Sequence, residues 1–413
     1  MIWIRVLVYT VVFLLIDLYF FQSLRNLLIN TNQNNRNLIV SIYWLIAILE
    51  IGVGISFFYL PTDQFKEFKL YSLSVVFVLM LGKLIGCVPI FIEDITRLLK
   101  WFFQFFSPAY FSNQSVTMSR SEFISKLAIL SAALPIVTLG YGMVKGAFNY
   151  QLRKHKIPIK GLGASFEGLK IVQISDIHIG SFLSKTPLKR AVDLINKQEA
   201  DIVLFTGDLV NNLASEAEEF IPILKEIRAP MGVFSVLGNH DYGHYFKWPN
   251  EIKRIENLNR LKEIQKEIGW KLLENENWII EKGGENMAIL GVENWSAIMR
   301  FPKYGNLEKA SKGIDEISLK ILMSHDPSHW DAEVNQKYKD ISITFSGHTH
   351  GMQFGIEIPG IKWSPVQYVY KQWAGLYRKG DQFLHVNRGL GILGFMGRVG
   401  MRPEITVVEL VKA

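Results

Sequence analysis

Seven side chains in the latter part of this 413-residue chain could together hold metal ions, and they fall in five short clusters. The clusters are Asp176-Ile177-His178, Gly207-Asp208, Gly238-Asn239 followed by His240-Asp241, His325, and Gly347-His348-Thr349-His350. Their donors are carboxylate and amide oxygens and imidazole nitrogens, with no thiolate. Such a set suits Mn, Fe, Zn or a similar divalent ion at two sites sharing a carboxylate, and it argues against a structural zinc knot. The glycines let the backbone approach an ion closely or take a positive φ. A lone DxH or GD carries little weight; five clusters at one recurrent place in the local pattern carry much more.

That place is the end of an apolar run. "LKIVQIS" leads into Asp176, "DIVLFT" into Gly207, "GVFSVL" into Gly238, "LKILMS" into His325 and "ISITFS" into Gly347. Each run reads as a buried strand, while "KTPLKRAVDLINKQ" and "EAEEFIPILKEI" read as polar-faced helices between strands. The alternation predicts a layered α/β domain that presents its ligands on loops at the strand ends.

In this order, the clusters resemble those of the calcineurin-like metallophosphoesterases, over roughly residues 169–410, and the chain is similar to that family's membrane-anchored bacterial branch. The resemblance implies four layers, two facing β-sheets flanked by helices, with a dinuclear centre at the strand ends. It implies one divalent ion on Asp176, His178, Asp208 and His350, and a second on Asp208, Asn239, His325 and His348, with Asp208 bridging. The implied activity is hydrolysis of phosphoester or pyrophosphate bonds by a metal-bridging hydroxide. His240 is the candidate general acid for the leaving alkoxide, with Asp241 orienting its ring. Arg388, in "NRGLG", is a candidate fork for a phosphate, with a structural salt bridge as the equal alternative. Asn294 and Arg300, in "VENWSAIMRF", are further candidate substrate contacts. One departure is visible: Gly351-Met352-Gln353 stands where this branch often has Gly-Gly-Gln, which predicts a narrower cleft floor. His329 reads as the exposed start of a helix and His385 as part of a strand.

The first third of the chain is of another kind. Residues 1–150 carry four apolar runs, about 2–21, 38–60, 70–92 and 123–148, each near the ~20 residues that cross a bilayer. A cleaved leader accounts only for the first. Residues 151–168 then read as a linker to a domain over 169–413. The net charge of +7 lies largely beside the apolar runs, so a membrane is the expected partner and nucleic acid is not. Cys87, the only cysteine, excludes an intrachain disulfide and reads as a small buried hydrophobe. Glu50 and Lys83 fall mid-span, where an isolated charge costs at least ~2.5–3.5 kcal/mol; an ion pair between them is one answer, and a neutral or snorkelling group is the alternative. "RLLKWFFQFFSPAYF", residues 97–111, reads as an interfacial stretch, with a hydrophobic loop packed on the bundle as the alternative.

These features describe a multi-pass protein of a bacterial cytoplasmic membrane. Eight Lys and Arg on the domain's side of the bundle against six opposite lean toward a cytoplasmic domain. "SRSEFISK", similar to a twin-arginine signal with Ser121 for the second arginine, points the other way, and the side stays open. A tethered cleft favours lipid-linked phosphoesters as substrate. The alternatives are a phosphodiesterase for soluble substrates that the anchor only localises, and a non-catalytic metal-bound membrane scaffold.

Overall fold

The computed structural model describes residues 2–60, 65–104 and 120–413, which form two units, 1–143 and 144–413. In the first unit the apolar runs are helices α1 (Ile2–Leu27), α2 (Gln33–Tyr59), α3 (Lys66–Gln104) and α4 (Arg120–Tyr141). All four are long and apolar enough to cross a membrane. The side chain of Asn32 caps α2 by accepting from the Asn35 N–H at 2.9 Å. Small residues set the α3–α4 approach: a Cβ on Gly82 would lie 2.9 Å from the Ala132 carbonyl oxygen, and one on Gly86 would lie 2.8 Å from that of Ala128. α3 runs well past the expected end of its span, through Trp101–Phe103, so the first part of the expected interfacial stretch is helix. Its remainder, residues 105–111, lies outside the described residues.

The expected Glu50–Lys83 contact is present at 2.6 Å, and it has a third member. Asp17 of α1 also meets the Lys83 ammonium, at 2.5 Å.

The second unit opens on β1 (Gln151–Ile159), followed by β2 (Lys170–Ile174), β3 (Ile202–Phe205), β4 (Val233–Ser235), β5 (Lys271–Leu272), β6 (Glu276–Lys282) and β7 (Glu285–Gly291). Then come β8 (Leu319–Met323), β9 (Ile343–Ser346), β10 (Ile356–Ile358), β11 (Ile361–Trp363), β12 (Gly375–Lys379), β13 (Gln382–Val386) and β14 (Glu404–Lys412). One sheet has the order β1-β14-β2-β3-β4-β5, the other β12-β13-β9-β8-β7-β6, and β10–β11 is a separate hairpin. The first half of the segment expected as a linker is an edge strand: β1 pairs in parallel with β14, from Gln151 opposite Glu404 to Ile159 opposite Lys412.

Alternation along the strands divides the core. Ile171, Leu204 and Phe234 of the first sheet face Ile289, Ile321, Ile343 and Phe345 of the second, all buried. Val172, Ile174, Val203 and Phe205 turn the other way, onto Leu188, Val192 and Ile195 of helix α5 (Lys185–Asn196). Behind the second sheet, Ala288, Leu290 and Leu322 pack on Leu307, Trp330 and Val334. Strands buried on both faces read as unbroken apolar runs, which is why they were visible in the sequence. The four layers that the resemblance implies are present.

Candidate metal centre

All five clusters stand just beyond the C-terminal ends of parallel strands, where β2, β3 and β4 of one sheet meet β8 and β9 of the other. The chain turns abruptly there. Asp176, His178, Asp208, His348 and His350 all take left-handed backbone, with φ of 50°, 45°, 60°, 71° and 51°. Each such residue costs about 1–3 kcal/mol and persists only where its surroundings over-determine it. Close approach explains two of the glycines. A Cβ on Gly238 would sit 2.2 Å from Asp208 Oδ1, and one on Gly347 would sit 2.2 Å from Asp176 Oδ2.

The donor atoms form two groups, Asp176, His178 and His350, and Asp208, His325 and His348, each within 4.8 Å. In the first, His178 Nε2 and His350 Nε2 face each other at 3.0 Å, and His350 Nε2 is 3.3 Å from Asp176 Oδ1. In the second, Asn239 Oδ1 lies 2.7 Å from His348 Nδ1 and 3.1 Å from His325 Nε2. Asp208 Oδ2 joins the groups, 3.2 Å from His325 Nε2 and 3.5 Å from His178 Nε2. The remaining carboxylate lone pairs are used by backbone: the His240 N–H donates to Asp208 Oδ1 and the His348 N–H to Asp176.

Burial pushes His178 down to about 3, His348 to about 4 and His350 well below its usual range, so these rings present neutral lone pairs. Burial likewise pushes Asp176 up to about 6, with the Asp208 charge adding to it. His325 is the opposite case: burial opposes its charge, yet Asp208 raises it to about 10. Two imidazole nitrogens aimed at one another, beside a shared carboxylate, make poor hydrogen-bonding partners and a good fit to cations. Ligands about 2.0–2.2 Å from a common ion stand ~3 Å from each other, as these do. The residues present fit two divalent ions.

Residues 1–147 match the family model described as a probable calcineurin-like phosphoesterase transmembrane domain, and residues 169–352 match the calcineurin-like phosphoesterase model. The chain belongs to the calcineurin-like phosphoesterase family. An uncharacterised metallophosphoesterase of Bacillus subtilis, YkuE, is 29% identical over 301 residues, covering 71% of this chain and 98% of its own length. A transmembrane protein with metallophosphoesterase domain is 28% identical over 292 residues in Danio rerio and 30% over 298 in Bos taurus. In both cases 69% of this chain aligns with 63% of the relative's length.

In the second unit a cavity of about 300 Å³ opens over the donors, lined by Asp208, Asn239, His240, His348, His350, Arg300, Phe301 and Tyr370. His240 thus reaches the cavity, but Asp241 does not orient it. His240 Nδ1 lies 2.8 Å from the Asn211 carbonyl oxygen, whereas the Asp241 carboxylate accepts the N–H groups of Asp208, Leu209, Val210 and Gly238. Asp241 is buried, which pushes its carboxyl up to about 7 with help from the Asp208 charge. Arg300 lines the cavity. Arg388 does not: it is buried, with its guanidinium on Glu404 and Glu357, so the salt-bridge alternative describes it. Asn294 is also away from the cavity and donates to the Pro302 carbonyl at 2.6 Å. His329 is buried against Trp295 rather than exposed.

Two residues absent from the sequence reading support His348. Its Nε2 lies 2.8 Å from the Tyr370 hydroxyl, and Tyr370 donates to Asp326 Oδ2 at 3.2 Å. Such outer partners fix the ring of a ligating histidine. Asp326 directly follows His325 and could have been noticed; Tyr370 is 22 positions from His348, with nothing local to mark it.

Proposed function

We propose that the protein hydrolyses phosphoester bonds of membrane lipids or lipid-linked substrates at this centre. The observation that carries the reading is a pair of donor groups joined by Asp208 in a cavity that Phe301, Met352, Val366 and Val369 also line. Divalent ions in the two groups would supply Lewis acidity toward a phosphoryl oxygen and make water nucleophilic at neutral pH. The chain's own groups account for the rest. Asp208 and Asn239 orient the two halves of the site, and Arg300 at the rim offers a guanidinium to a phosphate oxygen. His240 keeps Nδ1 on the Asn211 carbonyl, which leaves Nε2 to deliver the proton to the leaving oxygen.

The rim supports a lipid. Met352, Val369 and Tyr368 are 56%, 63% and 76% exposed beside the opening, and the β10–β11 hairpin adds exposed Ile356, Ile358 and Ile361. Contiguous apolar surface of this kind marks a binding or membrane-facing face. The same chain carries four membrane spans. The relatives include a bacterial one, and the reading extends to a bacterial cytoplasmic membrane, with the slight excess of basic residues on the domain's side supporting its cytoplasmic face.

The test is hydrolysis by the full chain in lipid nanodiscs with Mn²⁺, comparing a diacyl phosphoester with the soluble ester of the same headgroup. A kcat/KM at least ten-fold higher for the lipid is expected, with both activities lost in Asp208→Asn. Equal kcat/KM values would reject the lipid preference and keep the phosphoesterase. Activity that survives Asp208→Asn would reject the shared-carboxylate centre.

A further inference from the structure

The transmembrane bundle contains a charge cluster that anchoring does not require. Asp17 of α1 is fully buried, Glu50 of α2 is 2% exposed and Lys83 of α3 is 6% exposed. The Lys83 ammonium bonds one oxygen of each carboxylate, Asp17 Oδ1 at 2.5 Å and Glu50 Oε2 at 2.6 Å. Two carboxylates against one ammonium leave a deficit of one positive charge. The second oxygens, Asp17 Oδ2 and Glu50 Oε1, are buried and have no hydrogen-bond partner among the described residues. A purely structural ion pair needs one carboxylate per ammonium and leaves no such oxygens, because an uncompensated charge in an apolar interior is costly.

The surrounding groups do not make up the difference. The Tyr43 hydroxyl of α2 lies 3.0 Å from Asp17 Oδ1 and 2.8 Å from the Asp17 carbonyl, and the Tyr9 hydroxyl of α1 donates to the Glu50 carbonyl at 3.1 Å. Both are neutral donors, and Cys87 of α3 is no cation. On α4, the residues nearest Gly82 and Gly86 of α3 are Ala128, Ala132 and Ile136, none of which titrates.

We propose that Asp17 and Glu50 form a binding site for one monovalent cation, H⁺ or Na⁺, inside the bundle. The site is independent of the phosphoester reading, and it gives the membrane region a ligand of its own.

The test uses the full chain in nanodiscs near neutral pH. Infrared spectra would be compared for wild type, Asp17→Asn and Glu50→Gln. Melting temperatures would be measured in sodium chloride against choline chloride at equal ionic strength. A bound proton gives the carbonyl stretch of an un-ionised carboxyl in wild type, lost in at least one amide variant. Bound sodium gives no such band but a sodium-specific rise in melting temperature of several degrees, abolished in both variants. Either result supports the site. A carboxyl band identical in all three proteins, with no sodium-specific shift, overturns it. Should the amide variants not fold, Lys83→Met raises the deficit to two charges. The carboxyl band or the sodium response must then grow, and no change in either overturns the site.

Discussion

His240 shows how one contact decides which atom works. With Nδ1 on the Asn211 carbonyl, only Nε2 is available to a leaving group. His240→Ala is expected to keep both metal ions and lose about 10²–10⁴-fold in kcat on alkyl esters, with a smaller loss on aryl phosphates whose leaving groups need no proton. Equal losses on both classes would remove the acid role. Asp241 is its neighbour in sequence but has a different task, since it gathers four backbone N–H groups of the loops that carry Asp208 and Asn239. Stranding buried donors costs about 1–3 kcal/mol each. Asp241→Ala should therefore lower stability by about 3 kcal/mol or more and lose metal, as read by denaturant midpoint and metal content. A variant with full metal and only a slower rate would restore the ring-orienting role.

At the scale of elements, each strand delivers its ligands through one cramped turn, and the cramping is testable. Gly347→Ala would place a methyl carbon 2.0 Å from Ser175 Oγ and 2.2 Å from Asp176 Oδ2. Since Asp176 belongs to one donor group only, bound metal should fall from two ions per chain toward one, with about 1–3 kcal/mol of overpacking strain. Two ions at full activity would show that the turn yields freely. These strands and turns were legible because a strand buried on both faces is a continuous apolar run and its ligands follow within four residues. β1 was not legible. "QLRKHKIPI" has four consecutive basic residues, Arg153 to Lys156, and looks like a solvated linker, and its partner lies some 250 positions away. Arg388 stayed open between two readings for the same reason: a glycine turn suggested an anion, while the carboxylates that decide for the salt bridge stand 16 and 31 positions off. Asp17 hid inside an apolar run that was otherwise an ordinary span. Local pattern finds elements and their ends; partners distant in sequence need the fold.

At the scale of the whole molecule, acid should loosen the second unit through groups other than the candidate metal ligands. Burial holds His385 down to about 3 from its usual 6.5, although Glu404 pulls the other way. The unfolded chain therefore takes up this proton first, and stability falls as pH drops from about 6.5 toward 3. Glu404 is held down to about 2 by the Arg388 guanidinium against the effect of burial, and its contribution is present above 4.5 and lost as pH falls toward 2. His385→Asn keeps a donor toward Gln173 Oε1, which His385 Nδ1 meets at 2.7 Å, and should flatten the upper part of this decline, between pH 6.5 and 4.5. Urea midpoints of the full chain followed by tryptophan fluorescence would show it; an unchanged slope would place the acid sensitivity elsewhere. The pairing of β1 with β14 has a mechanical consequence. The chain leaving the last membrane helix reaches β1 through residues 142–150, and β1 lies alongside residues 404–412 in parallel. A pull along that leash loads the whole row of hydrogen bonds in shear, so they share the force instead of parting one at a time. A pull along β1 would thus be borne by the sheet's edge and kept from the strand ends that carry the donor groups.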